Sequence, residues 1–597
     1  MIVSNFYQKE KKMKASDYVV ELLVKNSIDK VFGYIGGNNA HILDSIDNHK
    51  DIEMVNTIHE QGAGFAAEGY ARTTGRPGVA TATSGPGATN LITPIASCFY
   101  DSVPAVFITG QVNTYECKNS SDCENNAPVR QIGFQESDIV SIVKPITKHA
   151  VLVDNIHNLR YELEKAFFLS EEGRKGPVLI DIPINLQYKD FNPDDERSFY
   201  DKEFQDDKSG DDQNIDKIAE AINSSTRPVI LVGGGARLSD IEAELNLLLS
   251  KTNIPIVHSL MGKDLVKESY KYNLGFIGAY GNRYASLTLA NSDLLLILGS
   301  RLDARQTGRQ AKTFAREATI IQVDIDKHEL GRKINADFQV LSDVKSFIHK
   351  LNKKELGPDI EPWQKKVLAY KVNYSSLHTI EQKEKMPNKI ISLISQYSQE
   401  KDIVCVDVGL HQMWVAQSFR VKNEQRILFS GGLGAMGCAL PTAVGAAIST
   451  GQRSIVIVGD GGFQMNIQEL EILKRRNLPI KIFIMNNAFL GMVRQMQTEY
   501  LDKNYIGTQN DYSVPHFKNI GDAYGIKSHE VSAMEQIEEI IKESLQNDDC
   551  ELIDIHLSES KHLVEPRLAG NRPMEDMVPL LDREEFKKQM VIKPLDE

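Results

Sequence analysis

The sequence predicts an α/β protein made of three doubly wound parallel-sheet domains. Short apolar runs that end in Gly, Asp or Asn recur between segments of helical length, which is the pattern of parallel strands joined by crossover helices. The runs fall into three blocks, separated by stretches too charged to bury. With 597 residues the chain is long enough for several domains, each with its own core.

The first block, residues 14–190, holds VATATSG (79–85), VPAVFITG (103–110) and GPVLIDIP (176–183) as strands. A linker rich in Asp, Lys and Asn at about 187–215 marks a domain boundary. The second block, 213–350, holds RPVILVGGG, SDLLLILGSRLD and ATIIQVDID. A second charged stretch at about 351–388 leads to the third block, 385–560, with DIVCVDVG, SIVIVGDGG, LPIKIFIMNN and ELIDIHL, and residues 561–597 form a tail. Blocks one and three read as copies of one topology, because Ser84 and Asp460, Pro104 and Pro479, and Asp181 and Asp554 stand 376, 375 and 373 positions apart. Two like domains around a third suggest a site shared between domains.

Composition narrows the function. The chain carries 68 basic and 81 acidic side chains, a net charge of −13, which argues against a nucleic acid partner. No run approaches eighteen apolar residues, and the charged start, MIVSNFYQKEKKMK, has no apolar segment behind it, so neither a membrane span nor a secretion signal is expected. The six cysteines are scattered, and the closest pair, Cys117 and Cys123, lacks the two-residue gap of metal clusters. Reduced thiols in a cytoplasmic protein are the expectation.

The most informative segment runs from Arg453 to Val493, RSIVIVGDGGFQMNIQELEILKRRNLPIKIFIMNNAFLGMV, and reads as strand, Gly-Asp-Gly-Gly turn, helix, strand and Asn-Asn. In a right-handed βαβ unit both strands end at one edge of the sheet, which places Asp460 and Asn487 near each other. A carboxylate and an amide oxygen are hard ligands suited to Mg²⁺, which takes few protein groups and completes its octahedron with water and phosphate oxygens. The glycines let backbone N–H groups approach a phosphate. Gly432, Gly434 and Gly437 in GGLGAMG compete with this reading, since G-x-G-x-x-G after the strand-like RILFS is a nicotinamide dinucleotide fingerprint. An NAD dehydrogenase, however, gives the glycines after Asp460 and the Asn pair no task.

The chain resembles the thiamine diphosphate enzymes, and among them the acetohydroxyacid synthase (acetolactate synthase) family, over about residues 14–560. GDGGF followed by NN is similar to the family's cofactor signature. HEQGAGFAAEGYAR, ATSGPGATN, DSVPAVFITGQV, ITKH, LMGK, SRLDARQTG, VDID, HQMW and GGLGAMG look like its segments in the right order. The resemblance implies a pyrimidine-binding domain first, a central FAD-type domain and a diphosphate-binding domain last. It also implies a homodimer or homotetramer whose sites join the first domain of one subunit to the third of another.

Residue by residue, the resemblance implies that Asp460 and Asn487 hold Mg²⁺ together with the carbonyl of Phe489. Gly409, His411, Gly461 and Gly462 match contacts to the diphosphate, Gly434 lies in the cofactor loop, and Met436 matches the residue that props thiamine diphosphate into its bent shape. Glu60 in IHEQG matches the glutamate that bonds the aminopyrimidine ring and promotes loss of the thiazolium proton. Glu60 ends an apolar run ahead of the closely packing GAGFAAEGYAR, where a protonated Glu could donate to a ring nitrogen. Taken alone, it reads as a helix-start residue favoured by the dipole.

In the central block Gly233, Gly234, Gly235, Gly299, Arg301, Asp303, Arg305, Asp324 and Asp343 match positions near FAD, whose part would be structural because decarboxylation and ligation move no net electrons. The implied reaction decarboxylates pyruvate and transfers the hydroxyethyl unit to a second 2-keto acid, giving 2-acetolactate for branched-chain amino acid biosynthesis. Gly37, Phe134, Gln135, Lys148, Arg305 and Met496 match positions around the substrates, with Arg305 suited to pairing a carboxylate.

The sequence departs from the family at Leu410, Tyr280, Ala304, Asp264 and Leu265, and at Met496, where Trp is usual. It also has an extra loop, NTYECKNSSDCENNAPV, and a longer tail. Met fills space adaptably, so the same donor chemistry on a larger ketone, such as a nucleotide-linked keto sugar, is an alternative. A pyruvate-oxidase-like flavoenzyme is another, and a non-catalytic relative should have lost Glu60 or a metal ligand.

Overall fold

The computed structural model describes residues 13–123, 129–201, 214–375, 386–557 and 563–595. These residues build three six-stranded parallel sheets flanked by helices. The first sheet comprises β1 (Lys30–Gly33), β2 (Glu53–Asn56), β3 (Gly78–Ala82), β4 (Ala105–Gln111), β5 (His149–Leu152) and β6 (Pro177–Pro183), in the order 2-1-3-4-6-5. The second comprises β7 (Pro228–Val232), β8 (Ile256–His258), β9 (Asn273–Phe276), β10 (Leu294–Leu298), β11 (Thr319–Asp324) and β12 (Phe338–Leu341), in the order 9-8-7-10-11-12. The third comprises β13 (Ile403–Val406), β14 (Arg426–Phe429), β15 (Ser454–Gly459), β16 (Ile480–Asn486), β17 (Lys527–Val531) and β18 (Glu551–His556), in the order 14-13-15-16-18-17.

The first and third sheets share one strand order, as the constant offset between their motifs predicts. The correspondence extends to a buried polar pair. Asp181 on β6 accepts from Gln111 Nε2 on β4 at 2.8 Å, and Asp554 on β18 accepts from Asn486 Nδ2 on β16 at 2.9 Å. Each carboxylate holds two strands in register where an unpaired polar group would be costly.

By compactness the chain forms two units, Met1–Asp206 with Val444–Gly451 and Gln468–Arg475, and Asp207–Ala443 with Gln452–Ile467 and Arg476–Glu597. The second and third sheets therefore lie in one unit. Among the described residues no helix is long and apolar enough to cross a membrane.

The charged stretches are less open than their composition suggests. At 187–201 the strand Asp190–Phe191 pairs with Met13–Lys14, Phe199 packs on Tyr161 and Phe168, and Ser198 Oγ donates to Glu164 at 2.6 Å. The rest of that stretch, 202–213, lies outside the described residues. Within 351–388 the helix Glu361–Asn373 buries Trp363, Val367 and Tyr370 against the central core and turns its charges outward. The tail is also built in, with Met574 in that core, Arg283 donating to the Met577 carbonyl at 3.0 Å, and Arg316 paired with Glu575 at 2.6 Å.

Candidate active site

Each sheet reverses its strand order once, and in open α/β sheets ligands bind beyond the carboxyl ends of the two strands at that point. In the third sheet the reversal lies between β13 and β15, whose carboxyl ends lead into Asp407–Gly409 and into the helix start Asp460–Gly462. The residues that the sequence assigns to metal and diphosphate sit at these two strand ends and the helix starts that follow them, or just past β16, with Gly434 and Met436 on the loop after β14.

Asp460 is the first residue of the helix Asp460–Met465, so Gly-Asp-Gly-Gly is a helix start and not the separate turn expected from the sequence. Extended backbone at Gly459 ends the strand and puts the carboxylate in the first turn, where the dipole favours it. Asp460 Oδ2 accepts from the N–H groups of Asn487 and Ala488 at 3.0 and 2.7 Å, and Oδ1 accepts from the Tyr512 hydroxyl at 2.7 Å. This joins Asp460 to Asn487 directly, and Asn487 Oδ1 in turn accepts from Phe489 N at 3.2 Å. Burial pushes the Asp460 carboxyl above its usual range despite these donors, and among the described residues no cation pairs with it. A buried acid, an amide oxygen and a nearby carbonyl fit a Mg²⁺ ion, which would supply the missing countercharge. Tyr512 was not foreseen, since a lone Tyr 52 residues after Asp460 carries no local signature.

A second carboxylate organises the loops. Asp407 is fully buried and accepts from the N–H groups of Gly437 and Ala439, each at 3.0 Å. It thereby fixes the loop of Gly434 and Met436, in which Gly434 and Gly437 have φ of 73° and 84°. Met436 reaches the first turn of the Asp460 helix, where a Cβ on Gly461 would stand 3.4 Å from its Cε. A Cβ on Gly462 would stand 2.4 Å from Asp407 Oδ1. His411 packs against Gly409 and Gly459; burial pulls its ring down to about 3, so it is neutral, and its buried Nε2 has no hydrogen-bond partner among the described residues. An orphaned ring nitrogen beside two half-buried glycine backbones fits a polar ligand in this crevice. GGLGAMG follows β14, an edge strand, and runs as a loop until the helix at Ala439, so it lacks the strand-turn-helix context of a nicotinamide fingerprint.

In the first sheet the reversal lies between β1 and β3, and their loops are tied by Asn38 N to Thr83 Oγ1 at 3.2 Å and Asn38 Nδ2 to Ser84 Oγ at 2.6 Å. Glu60 begins the helix Glu60–Thr74 just beyond β2. Its Oε2 accepts from Asn90 at 2.9 Å, and its Oε1 faces Gly87. Glu469, unforeseen from sequence, accepts from the N–H groups of Ile58 and His59 at 3.1–3.3 Å. A Cβ at Gly62 would stand 2.4 Å from Glu469 Oε1, which explains the Gly in IHEQG. Gly37 and Gln135 share this edge, with Gln135 against Gly85, and the neighbouring Phe134 is 85% exposed. Lys148 does not: its N–H donates to Pro177 O at the opposite edge, and its Nζ is held by Glu172 O. Within one chain, Lys148 is not brought to the other substrate candidates.

The central sheet reverses between β7 and β10, where Gly233–Gly235 and Gly299–Arg301 face each other. Gly235 N donates to Gly299 O at 2.8 Å, and Gly299 at φ 57° could carry no Cβ, which would stand 2.3 Å from Ala236 N. Asp303 caps the helix Ala304–Thr307 through Arg305 N and lies 3.6 Å from Arg301, Asp324 ends β11, and Asp343 caps the next helix and accepts from Ser239. Gly233–Gly235 and Gly299–Arg301 thus stand at the carboxyl ends of the two strands at the reversal, where open α/β sheets bind ligands. Tyr280 is within electrostatic reach of Arg305 and of Glu499, on the helix Gly491–Tyr500 that carries Met496.

Comparison with known proteins agrees with this geometry. Residues 13–142 match the thiamine pyrophosphate enzyme N-terminal TPP binding domain, 215–351 the central domain, and 407–555 the C-terminal TPP binding domain. The acetolactate synthase large subunit of Lactococcus lactis subsp. lactis (strain IL1403) is 33% identical over 574 residues, covering 96% of this chain and 97% of the relative. The chloroplastic acetolactate synthase of Arabidopsis thaliana is 35% identical over 95% of this chain and 84% of its own length, and the large subunit of Cyanidium caldarium is 35% identical over 96% and 98%. With all three domains matched in order over almost its whole length, the chain belongs to the thiamine pyrophosphate enzymes, in the acetolactate synthase large-subunit branch.

Proposed function

We propose that the protein decarboxylates pyruvate and transfers the hydroxyethyl, acetyl-equivalent unit to a second 2-keto acid in the cytoplasm, giving 2-acetolactate. The observation that carries this reading is the Asp460–Asn487 donor pair at the β13–β15 crevice, and the names of the full-length relatives support it. Asp460, Asn487 and the Phe489 carbonyl hold Mg²⁺; Gly409, Gly461 and Gly462 present backbone to the diphosphate, and neutral His411 adds its ring. Met436, next to Gly461, would support thiamine diphosphate when it is bound. Glu60 holds the proton exchanged with the aminopyrimidine at Oε1 while Asn90 occupies Oε2. Bound thiamine diphosphate supplies the nucleophilic carbon that carries the two-carbon unit. FAD occupies the central crevice in a structural part, and the working form is a homodimer or homotetramer in which one subunit's first sheet and another's third complete each site. Product analysis by mass spectrometry with pyruvate alone tests the proposal: rapid acetolactate is expected, and its absence overturns the acceptor assignment.

A larger ketone is a second reading, favoured by one observation. Met496 is 44% exposed where a bulky Trp is usual, which leaves room at the acceptor side. Slow release of carbon dioxide that accelerates only with a bulky ketone is the outcome that selects it.

A further inference from the structure

A small solvent-connected cleft of about 80 Å³ lies apart from the three crevices, and no residue assigned above to cofactor, metal, flavin or substrate lines it. Among its polar lining residues the charged ones are Lys263, Lys371, Arg420 and Glu268, with His258 and Tyr284 beside them, so three cations share the cleft with one carboxylate. Lys263 is 6% exposed, and among the described residues only the Ala416 carbonyl, 3.0 Å from Nζ near the end of the helix Leu410–Ser418, accepts a hydrogen bond from it. Burial pulls this ammonium down to about 8. Among the described residues the side chains of Lys371, Arg420 and Glu268 make no hydrogen bond and no ion pair within 4 Å, although Lys371 feels the charges of both Glu268 and Arg420. Tyr284 stays protonated, because burial and Glu268 raise its hydroxyl further, and it can only strengthen a donor array. The helix-end carbonyls offset part of the charge, yet the wall remains cationic.

Lys263 feels the charges of Glu268 and Asp264, but three cations line this cleft against the single carboxylate of Glu268, and an anion bound there would complete the balance. We propose that this cleft binds a small oxyanion, a phosphate or a carboxylate group, held between Lys263, Lys371 and Arg420 with the Tyr284 hydroxyl donating. Guanidinium and ammonium groups around one pocket are the donor set such oxygens require, the first as a planar fork and the second as a point charge. The site shares a helix with the candidate active site: the cleft lies at one end of Leu410–Ser418 and His411 at the other. The inference does not depend on which acceptor the enzyme uses.

The test uses holoenzyme saturated with thiamine diphosphate and Mg²⁺, so that the diphosphate crevice is filled, at ionic strength held constant with chloride. Inorganic phosphate and acetate are titrated separately, reading the melting temperature and the heat of binding. Phosphate alone raising the melting temperature identifies the phosphate source; an equal response to acetate identifies a carboxylate. Lys371→Ala and Arg420→Ala, at half-buried and exposed positions that the fold tolerates, should each weaken binding about tenfold, and the double variant should abolish it. Lys263→Met should abolish it as well, and should that variant fail to fold, the other two still decide. No response of the wild type to either anion, or an undiminished response in the double variant, overturns the proposal.

Discussion

The carboxylate of Glu469 accepts the backbone N–H of His59 at 3.1 Å, one residue before Glu60. It also accepts from Ile58, so two donors of the turn that delivers Glu60 depend on one side chain. Burial outweighs those donors and raises Glu469 from 4.5 to about 7, with Glu471 raising and Arg475 lowering it further. The folded chain therefore holds this proton more tightly than the unfolded one. The contribution to stability is full below about pH 4.5 and is lost as pH rises toward 7, by about 3 kcal/mol. Glu469→Gln should flatten that slope, so the melting temperature of the variant gains on wild type between pH 5 and 7. Its kcat should fall about tenfold, with half-saturation by thiamine diphosphate little changed. Parallel melting curves across this range would show that Glu469 does not titrate there.

Glu60→Gln keeps the size of the side chain and its contact with Asn90 but cannot release a proton. Carbon dioxide release should drop by roughly 10² to 10⁴, the range typical of a lost general acid–base group, while the cofactor still binds. Asn90→Ala, which frees Oε2 without removing the acid, should cost far less. A Gln variant with near wild-type turnover would remove Glu60 from the mechanism.

Asp460→Ala should abolish metal-dependent cofactor binding and also free the Asn487–Ala488 turn and Tyr512. Trp414, buried on the helix that starts beside Gly409, is one of two tryptophans and gives the readout. Its fluorescence should respond to thiamine diphosphate plus Mg²⁺ in the wild type and not in the variant. Tyr512→Phe separates the two roles: a weaker metal response with the fold intact is expected, since only one hydrogen bond to the carboxylate is lost.

The strands that could be read from sequence are those buried on both faces. β3, β4, β6, β7, β10, β15 and β16 are mainly apolar runs, with only isolated polar residues such as Asp181 and Lys481, because helices cover both sides. Four of the six edge strands, β2, β5, β12 and β17, are short and half exposed, and their sequences EMVN, HAVL, FQVL and KSHEV carry no decisive pattern. The charged stretch around Trp363 and Tyr370 misleads because one buried stripe suffices to dock a helix whose other faces are Lys and Glu. In the site, Asp460, Asn487 and the glycines announce themselves through local spacing. Asp407, Tyr512 and Glu469 do not, since each acts on a partner distant in sequence, 30, 52 and 410 residues away: the Gly437 N–H for Asp407, the Asp460 carboxylate for Tyr512 and the His59 N–H for Glu469.

The central crevice predicts a yellow protein that releases FAD on denaturation. Arg301 is half-buried beside Asp303 and contributes little to the core, so Arg301→Ala should lower flavin content without changing the melting temperature of the flavin-free protein. Because ligation moves no net electrons, bleaching the flavin with a reductant should leave product stoichiometry unchanged. Colourless, fully active protein that gains nothing from added FAD would remove the flavin from this crevice.

Met496 offers the last test, because it sits 44% exposed on the helix Gly491–Tyr500, seven residues beyond Phe489. A thioether on a flexible stem adapts to acceptors of several shapes, whereas an indole fills the same space rigidly. In the family an aromatic residue here favours 2-ketobutyrate over pyruvate, so Met496→Trp should raise the ratio of 2-ketobutyrate product to acetolactate in a competition assay. A change of about tenfold is expected, within the range that one or two buried methylene contacts provide. If the enzyme instead serves a bulky ketone, the same substitution should suppress that product and leave carbon dioxide release from pyruvate untouched. An unchanged product ratio, with mass spectrometry resolving both ligation products, would mean that Met496 faces solvent and not the acceptor.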